Sequence, residues 1–155
     1  MTEEEVTAEN IKREEEKTRG LKLAETFLKK DPVQFMAAVN VGGKAALWPL
    51  KCRLIKNQKF WFCADANDEI CIRFKRNPFA ELGGQLSDGN WIRISGMVHF
   101  TDNDTASRNE IMKTDPVLSK KYGSADNEDF AVFCFENAMV IMPDGSKYRT
   151  DYRPL

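Results

Sequence analysis

The chain changes its apolar rhythm once. Leu21, Ala24, Phe27 and Leu28 recur at three- and four-residue steps, whereas from Gln34 onward apolar residues fall into short runs and alternations of two. The first spacing puts one apolar face on a helix and the second builds strands. Asp31-Pro32 separates the two regimes, because the residue before proline avoids helical angles. Upstream, residues 2–19 are crowded with Glu, Lys and Arg, and Val6, Ala8 and Ile11 form no continuous stripe. Thr2 with Glu5 has capping-box spacing, and Glu9–Arg13 and Glu15–Arg19 are ordered for favourable pairs. Residues 1–20 are therefore expected to be a charged helix or arm outside the core, able to clasp a partner subunit, and 21–155 to be one domain.

The strand pattern reads in order. Gln34 to Val41 is apolar and Gly42-Gly43 supplies a hairpin turn; Lys44 to Ile55 returns, bent near Pro49, which suits an edge or a bulge. Asn57-Gln58 turns the chain into a buried strand, Lys59 to Ala64. A helix capped by Asp65 or Asn67 runs to Arg76 and stops at Asn77-Pro78. Phe79 to Leu86 is the next strand, with Gly83-Gly84 read as a bulge, and Ser87 to Asn90 the turn after it. Trp91 to Phe100 alternates sides, with Gly96 marking a bulge or bend. A helix capped by Asp102 or Asn103 runs through Met112, and Pro116 opens a turn ending near Tyr122-Gly123. Phe130 to Phe135, Ala138 to Met142 and a returning Tyr148 to Tyr152 complete the pattern. Six or so strands with helices between them predict a mainly β fold: a curled antiparallel sheet, a barrel more than a sandwich.

Composition narrows the chemistry. With 23 Lys and Arg against 24 Asp and Glu there is no basic excess to bind nucleic acid. No apolar run is long enough to span a bilayer, and the acidic N-terminus is unlike a secretory signal, so a cytoplasmic location is expected. His99 is the single histidine, which argues against a Ser or Cys triad and, with the spacing of Cys52, Cys63, Cys71 and Cys134, against a metal site. Those thiols are expected to be reduced and mostly buried. Among the aromatics, Trp61 reads as core, while Trp48 and Trp91 lie near strand ends where a ring can line a slot for a flat ligand.

The order of features is more specific than any one of them. An apolar strand, a glycine turn, a strand carrying a proline, then Phe62-Cys63-Ala64, a helix, Asn77-Pro78 and later Gly89 to Gly96 follow one another over residues 25 to 142. This series resembles the pyridoxamine 5'-phosphate oxidase-like family of FMN-binding split barrels. The resemblance implies a six-stranded antiparallel split β-barrel, a homodimer, and FMN in each groove between two chains, with redox chemistry supplied by the flavin. Carried onto this sequence, the cofactor-binding positions are Trp48, Pro49, Leu50, Lys51, Arg53, Cys63, Ala64, Asp65, Arg73 and Trp91; no catalytic residue is singled out. Where relatives carry Arg before the proline this chain has Trp48, where they place Thr it has Ala64, and where they often place Lys it has Asp68, beside Glu69. Lys51, Arg53 and Arg73 are the nearby cations available to compensate, with Lys51 and Arg53 expected on one strand face. The alternative is a non-enzymatic module that keeps the barrel, has lost the phosphate site and takes another planar small molecule; haem or a deazaflavin is a third possibility.

Overall fold

In the computed structural model, which describes residues 1–40 and 42–151, the sheet is antiparallel and has eight strands rather than six. The elements in chain order are α1 (Glu3–Leu28), β1 (Val33–Val39), β2 (Ala45–Pro49), β3 (Leu54–Lys56), β4 (Lys59–Asp65), α2 (Glu69–Arg76), β5 (Phe79–Gln85), β6 (Trp91–Phe100), α3 (Thr105–Met112), α4 (Pro116–Tyr122), β7 (Phe130–Ile141) and β8 (Lys147–Arg149). The strands run β2-β1-β5-β6-β7-β4-β3, with β8 paired to β7 beside this path, so the sheet does not close through its two edges. Val41 and Tyr152, the expected ends of two strands, lie outside the described residues.

The strand boundaries differ from the expected ones for local reasons. Pro49 has no N–H to donate, so the run expected from Lys44 to Ile55 divides into edge strands β2 and β3. Residues 50–53 bridge them, anchored where the Gln34 side chain accepts the Cys52 N–H at 2.9 Å. Conversely, the two strands expected at 130–135 and 138–142 are one, β7, which passes through Asn137 at φ 52°. Opposite it the β6 register shifts between Ser95 and Met97, the bulge that Gly96 signalled. Gly96 also meets a steric need, since a Cβ there would sit 2.6 Å from Phe135 Cγ. Gly83 and Gly84 lie in unbroken register, so they form no bulge.

The helix is not interrupted where the sequence pattern changes after residue 20. Residues 3–28 form one helix, its start closed by the reciprocal Thr2–Glu5 capping box. Gly20 allows close approach instead: a Cβ there would lie 2.7 Å from Tyr148 Cβ. One turn earlier the Glu16 carboxylate accepts the Arg149 N–H at 3.0 Å, satisfying the outer edge of β8. The other helices start later than the sequence suggested. Asp68 occupies the position before α2, and Asp104 caps α3 by accepting the Ser107 N–H. The segment after Pro116 is a helix capped by Asp115 rather than a turn.

Two cores share the sheet. Met36, Leu82, Ile92, Ile94, Phe62 and Phe135 fill the inside, joined by Ile70 and Phe74 of α2. On the outer face of β4 and β7, Trp61, Cys63, Val132 and Cys134 pack under α3 and α4 against Ile111, Leu118 and Tyr122. Both faces of β4 and β7 are thus buried, and their sequences are continuous apolar runs rather than alternations. The Trp61 indole donates to the Lys56 carbonyl at 2.9 Å, which places it in the core as expected. All four cysteines are free thiols. Among the described residues no helix is long and apolar enough to cross a membrane.

Candidate functional site

The positions expected to bind cofactor fall into three places. Trp48 and Leu50 are half-buried and pack against the inner core, since Trp48 lies opposite inward-facing Met36. Ala64, at the end of β4, joins the same core from the other side. Pro49 is exposed on the outer side of edge strand β2.

The charged positions lie around this rim, and nearly every one is already partnered. Lys51 and Arg53, outside any strand, do not share a face: Lys51 pairs with Asp31 at 3.8 Å and Arg53 with Asp115 at 3.5 Å. The Arg53 guanidinium also lies against Cys63, opposing the burial that pushes this thiol up. Arg73 is held by Glu69, one turn earlier on α2, at 2.7 Å. Its Nη1 is a buried donor without a partner, the one group of this set that is short of an acceptor. Asp65 accepts from the Asn67 amide at 2.9 Å and faces Lys121 at 3.7 Å and the Tyr122 hydroxyl at 3.4 Å. The Asn67 backbone N–H is the main cause holding the Asp65 carboxyl below its ordinary range, so it stays ionised. Asp68, at the α2 N-terminus, makes no side-chain capping bond.

This arrangement fits a doubly charged phosphate poorly. The cations Lys51, Arg53, Arg73 and Lys121 face the carboxylates Asp31, Asp115, Glu69 and Asp65, with Asp68 in surplus. Ala64 brings no hydroxyl. A phosphate entering here would have to compete with carboxylates already set against these cations, and the unpartnered Arg73 Nη1 is buried. Asp115, Lys121 and Tyr122 were not identified from sequence; they reach the rim from α4, more than 50 residues along the chain, and no local pattern marks them.

Trp91 lies elsewhere, on the outer face of β1, β2, β5 and β6. Cross-strand rows align Pro49, Phe35, Gly83 and Arg93; Leu47, Ala37, Glu81 and Ser95; and Val33, Gln85 and Trp91. Val33, Phe35, Leu47 and Phe79 stand exposed on these strands, Val33 and Leu47 to about two thirds of their surface. Gly83 has nothing within 4 Å of where a Cβ would be, and a depression of about 480 Å³ lies in the face between Phe35, Leu47, Trp91 and Arg93. The Arg93–Glu81 pair bounds it.

No family model and no curated protein matches the chain. Solved structures do. A NimC/NimA family protein from Clostridium acetobutylicum superposes with a TM-score of 0.72 at 25% identity, over 87% of this chain and 94% of that one. A protein from the same organism, related to general stress protein 26 of Bacillus subtilis and placed in the pyridoxinephosphate oxidase family, gives 0.65 at 14% identity over 84% and 94%. A heme binding protein from Mycobacterium smegmatis gives 0.59 at 17% identity over 77% and 52%. With an unclosed antiparallel sheet, helices inserted between its strands and these neighbours, the chain has the split-barrel fold of the pyridoxamine 5'-phosphate oxidase-like family.

Proposed function

We propose that two copies of this chain pack through the outer face of β1, β2, β5 and β6 and hold a planar, flavin-type molecule at the rim of that interface. The observation that carries this reading is the apolar face itself. Val33, Phe35, Leu47 and Phe79 are large, exposed and on adjoining strands, at a concentration that marks an interaction surface. The face runs out at Pro49 and adjoins the Trp48–Arg53 segment, which supports a ligand rim there. A planar ring needs a dry, partly apolar slot with a few polar groups at its edge, and Trp48, Leu50 and Ala64 beside Lys51, Arg53 and Arg73 supply that mixture. The heme binding neighbour is itself a protein of this fold named for a flat ligand.

Within this reading, FMN is the weaker form of the ligand, because the cations that would grip its phosphate are neutralised by carboxylates. An oxidoreductase activity is proposed only as the chemistry a bound flavin would supply. The same pairing favours a second reading, a non-enzymatic module that binds a flat molecule without a terminal phosphate. Absorption spectra of protein purified without added cofactor, followed by fluorescence titration with riboflavin and FMN, separate the two. A flavin spectrum, or quenching of FMN at micromolar protein, supports the first, and quenching of riboflavin alone by colourless protein supports the second. Colourless protein that quenches neither compound removes the first.

A further inference from the structure

A second cavity opens on the opposite side of α2 from Arg73, within a single copy of the chain. It has a volume of about 600 Å³ and lies between α2, α3, the end of β6, the start of β7 and the 124–128 loop. Its lining is set by helix spacing: Glu69 and Arg73 occupy one flank of α2, and Cys71 and Lys75, also four apart, occupy this one. Ala66, Ala125 and Ala131 give it a shallow floor, and the rings of Phe100 and Phe130 stand at its walls.

Two cations serve this space, and neither has a carboxylate within ion-pair distance among the described residues, although the Asp126 carboxylate is near enough to Arg108 to feel its charge. The Lys75 ammonium lies 5.5 Å from the centre of the Phe100 ring and enters no ion pair. Arg108 is only 6% exposed. Its Nε donates to the Ala125 carbonyl, and its Nη2 to those of Asn127 and Phe130, at 2.6 to 3.2 Å. These three bonds fix the guanidinium plane against Phe130 and leave Nη1 without a hydrogen bond, in a residue that lines the cavity. A guanidinium this deeply set, with a free amino group, is a preorganised donor for a carboxylate. The lining is not simply basic, because Asp102, Asp126 and Glu128 stand on it too. A purely anionic ligand would meet them; one that also carries an amino group would use them.

We infer that this cavity is a binding site for a small aromatic carboxylate that also bears an amino group. Its carboxylate is taken by Arg108 Nη1 and Lys75, its ring by the alanine floor between Phe100 and Phe130, and its amine by the Asp102, Asp126 and Glu128 side. The site needs neither a second copy nor a flavin, so it stands apart from the function proposed above.

The test uses the full chain and three probes: 4-aminobenzoate, benzoate and aniline. Binding is followed by calorimetry and by amide shift perturbation in ¹⁵N-labelled protein. 4-Aminobenzoate should bind saturably, tighter than either single-function probe, with shifts gathered at Ala66, Cys71, Ala125 and Ala131. Lys75→Gln, an exposed change, should weaken it at least tenfold, and Ala66→Leu, which fills the floor, should abolish it while circular dichroism stays unchanged. The inference is overturned if no probe saturates at millimolar concentration. It is equally overturned if benzoate binds as well as 4-aminobenzoate, or if both variants bind like the wild type.

Discussion

Leu47 offers the sharpest test of the paired-barrel reading. It projects from the middle of edge strand β2, and about two thirds of its surface is in water. Nothing in the single chain accounts for a leucine so placed, and its loss should leave the monomer folded. If the face is an interface, its symmetry operator is a twofold, and each substitution counts twice. Burying a whole leucine is worth about 1.5–3 kcal/mol, so the exposed two thirds give roughly 1–2 kcal/mol per copy and about 2–4 kcal/mol per dimer. At about 1.4 kcal/mol per decade that raises the dissociation constant some ~30- to ~1000-fold. Leu47→Asp should go further, since it also buries two carboxylates near Glu81 of the same cross-strand row. Sedimentation equilibrium across a dilution series, with thermal unfolding as the control for folding, reads this directly. A wild type that stays monomeric at high micromolar concentration, or a Leu47→Asp variant that dimerises unchanged, refutes the reasoning.

Three further outcomes follow from the packing and the titrating groups. Gly96→Ala should lower the urea midpoint by an amount corresponding to about 1–3 kcal/mol, because the new methyl meets the fully buried Phe135 ring, whereas Gly83→Ala, with open space, should not; equal midpoints would show the close contact to be without cost. Asp104 caps α3, and the Ser107 backbone N–H is the main cause holding its carboxyl below the ordinary range, so its contribution is complete above the unfolded value of about 3.9 and is lost as pH falls through the lower folded value. Melting temperatures between neutral pH and strong acid should therefore fall less steeply for Asp104→Asn, and parallel curves would contradict the assignment. Burial pushes Cys52 up to about 12 and Cys71 and Cys134 up to about 11, so a thiol reagent at neutral pH should label them slowly in the folded protein and fast in denaturant; rapid labelling of native protein would oppose this.

What could be read ahead of the structure, and what could not, divides along the range of the interaction. The Thr2–Glu5 capping box, the stop at Pro32, the bulge at Gly96 and the bend at Pro49 are each determined by a few neighbouring residues, and each is present. The change of pattern after residue 20 does not end the helix, and the reason a glycine stands there, the flank of Tyr148, lies at the other end of the chain. The rim follows the same rule. Asp65, Asp68 and Glu69 are three carboxylates within five residues of sequence, but a carboxylate's effect on a ligand depends on what already neutralises it. For Glu69 that partner is one helical turn away and was within reach of a sequence argument. For Asp65 and for Arg53 the partners arrive on α4 and its cap, across 57 and 62 residues, where the sequence pattern reads as a turn. Without α4, Arg53 looks like a free cation, and without the break after Pro49, Lys51 and Arg53 look like neighbours on one strand face. With α4 in place, Asp115 claims Arg53, and charges that seemed available to a phosphate are spent within the fold. The proposal of a flat ligand without a charged tail rests on this tertiary pairing.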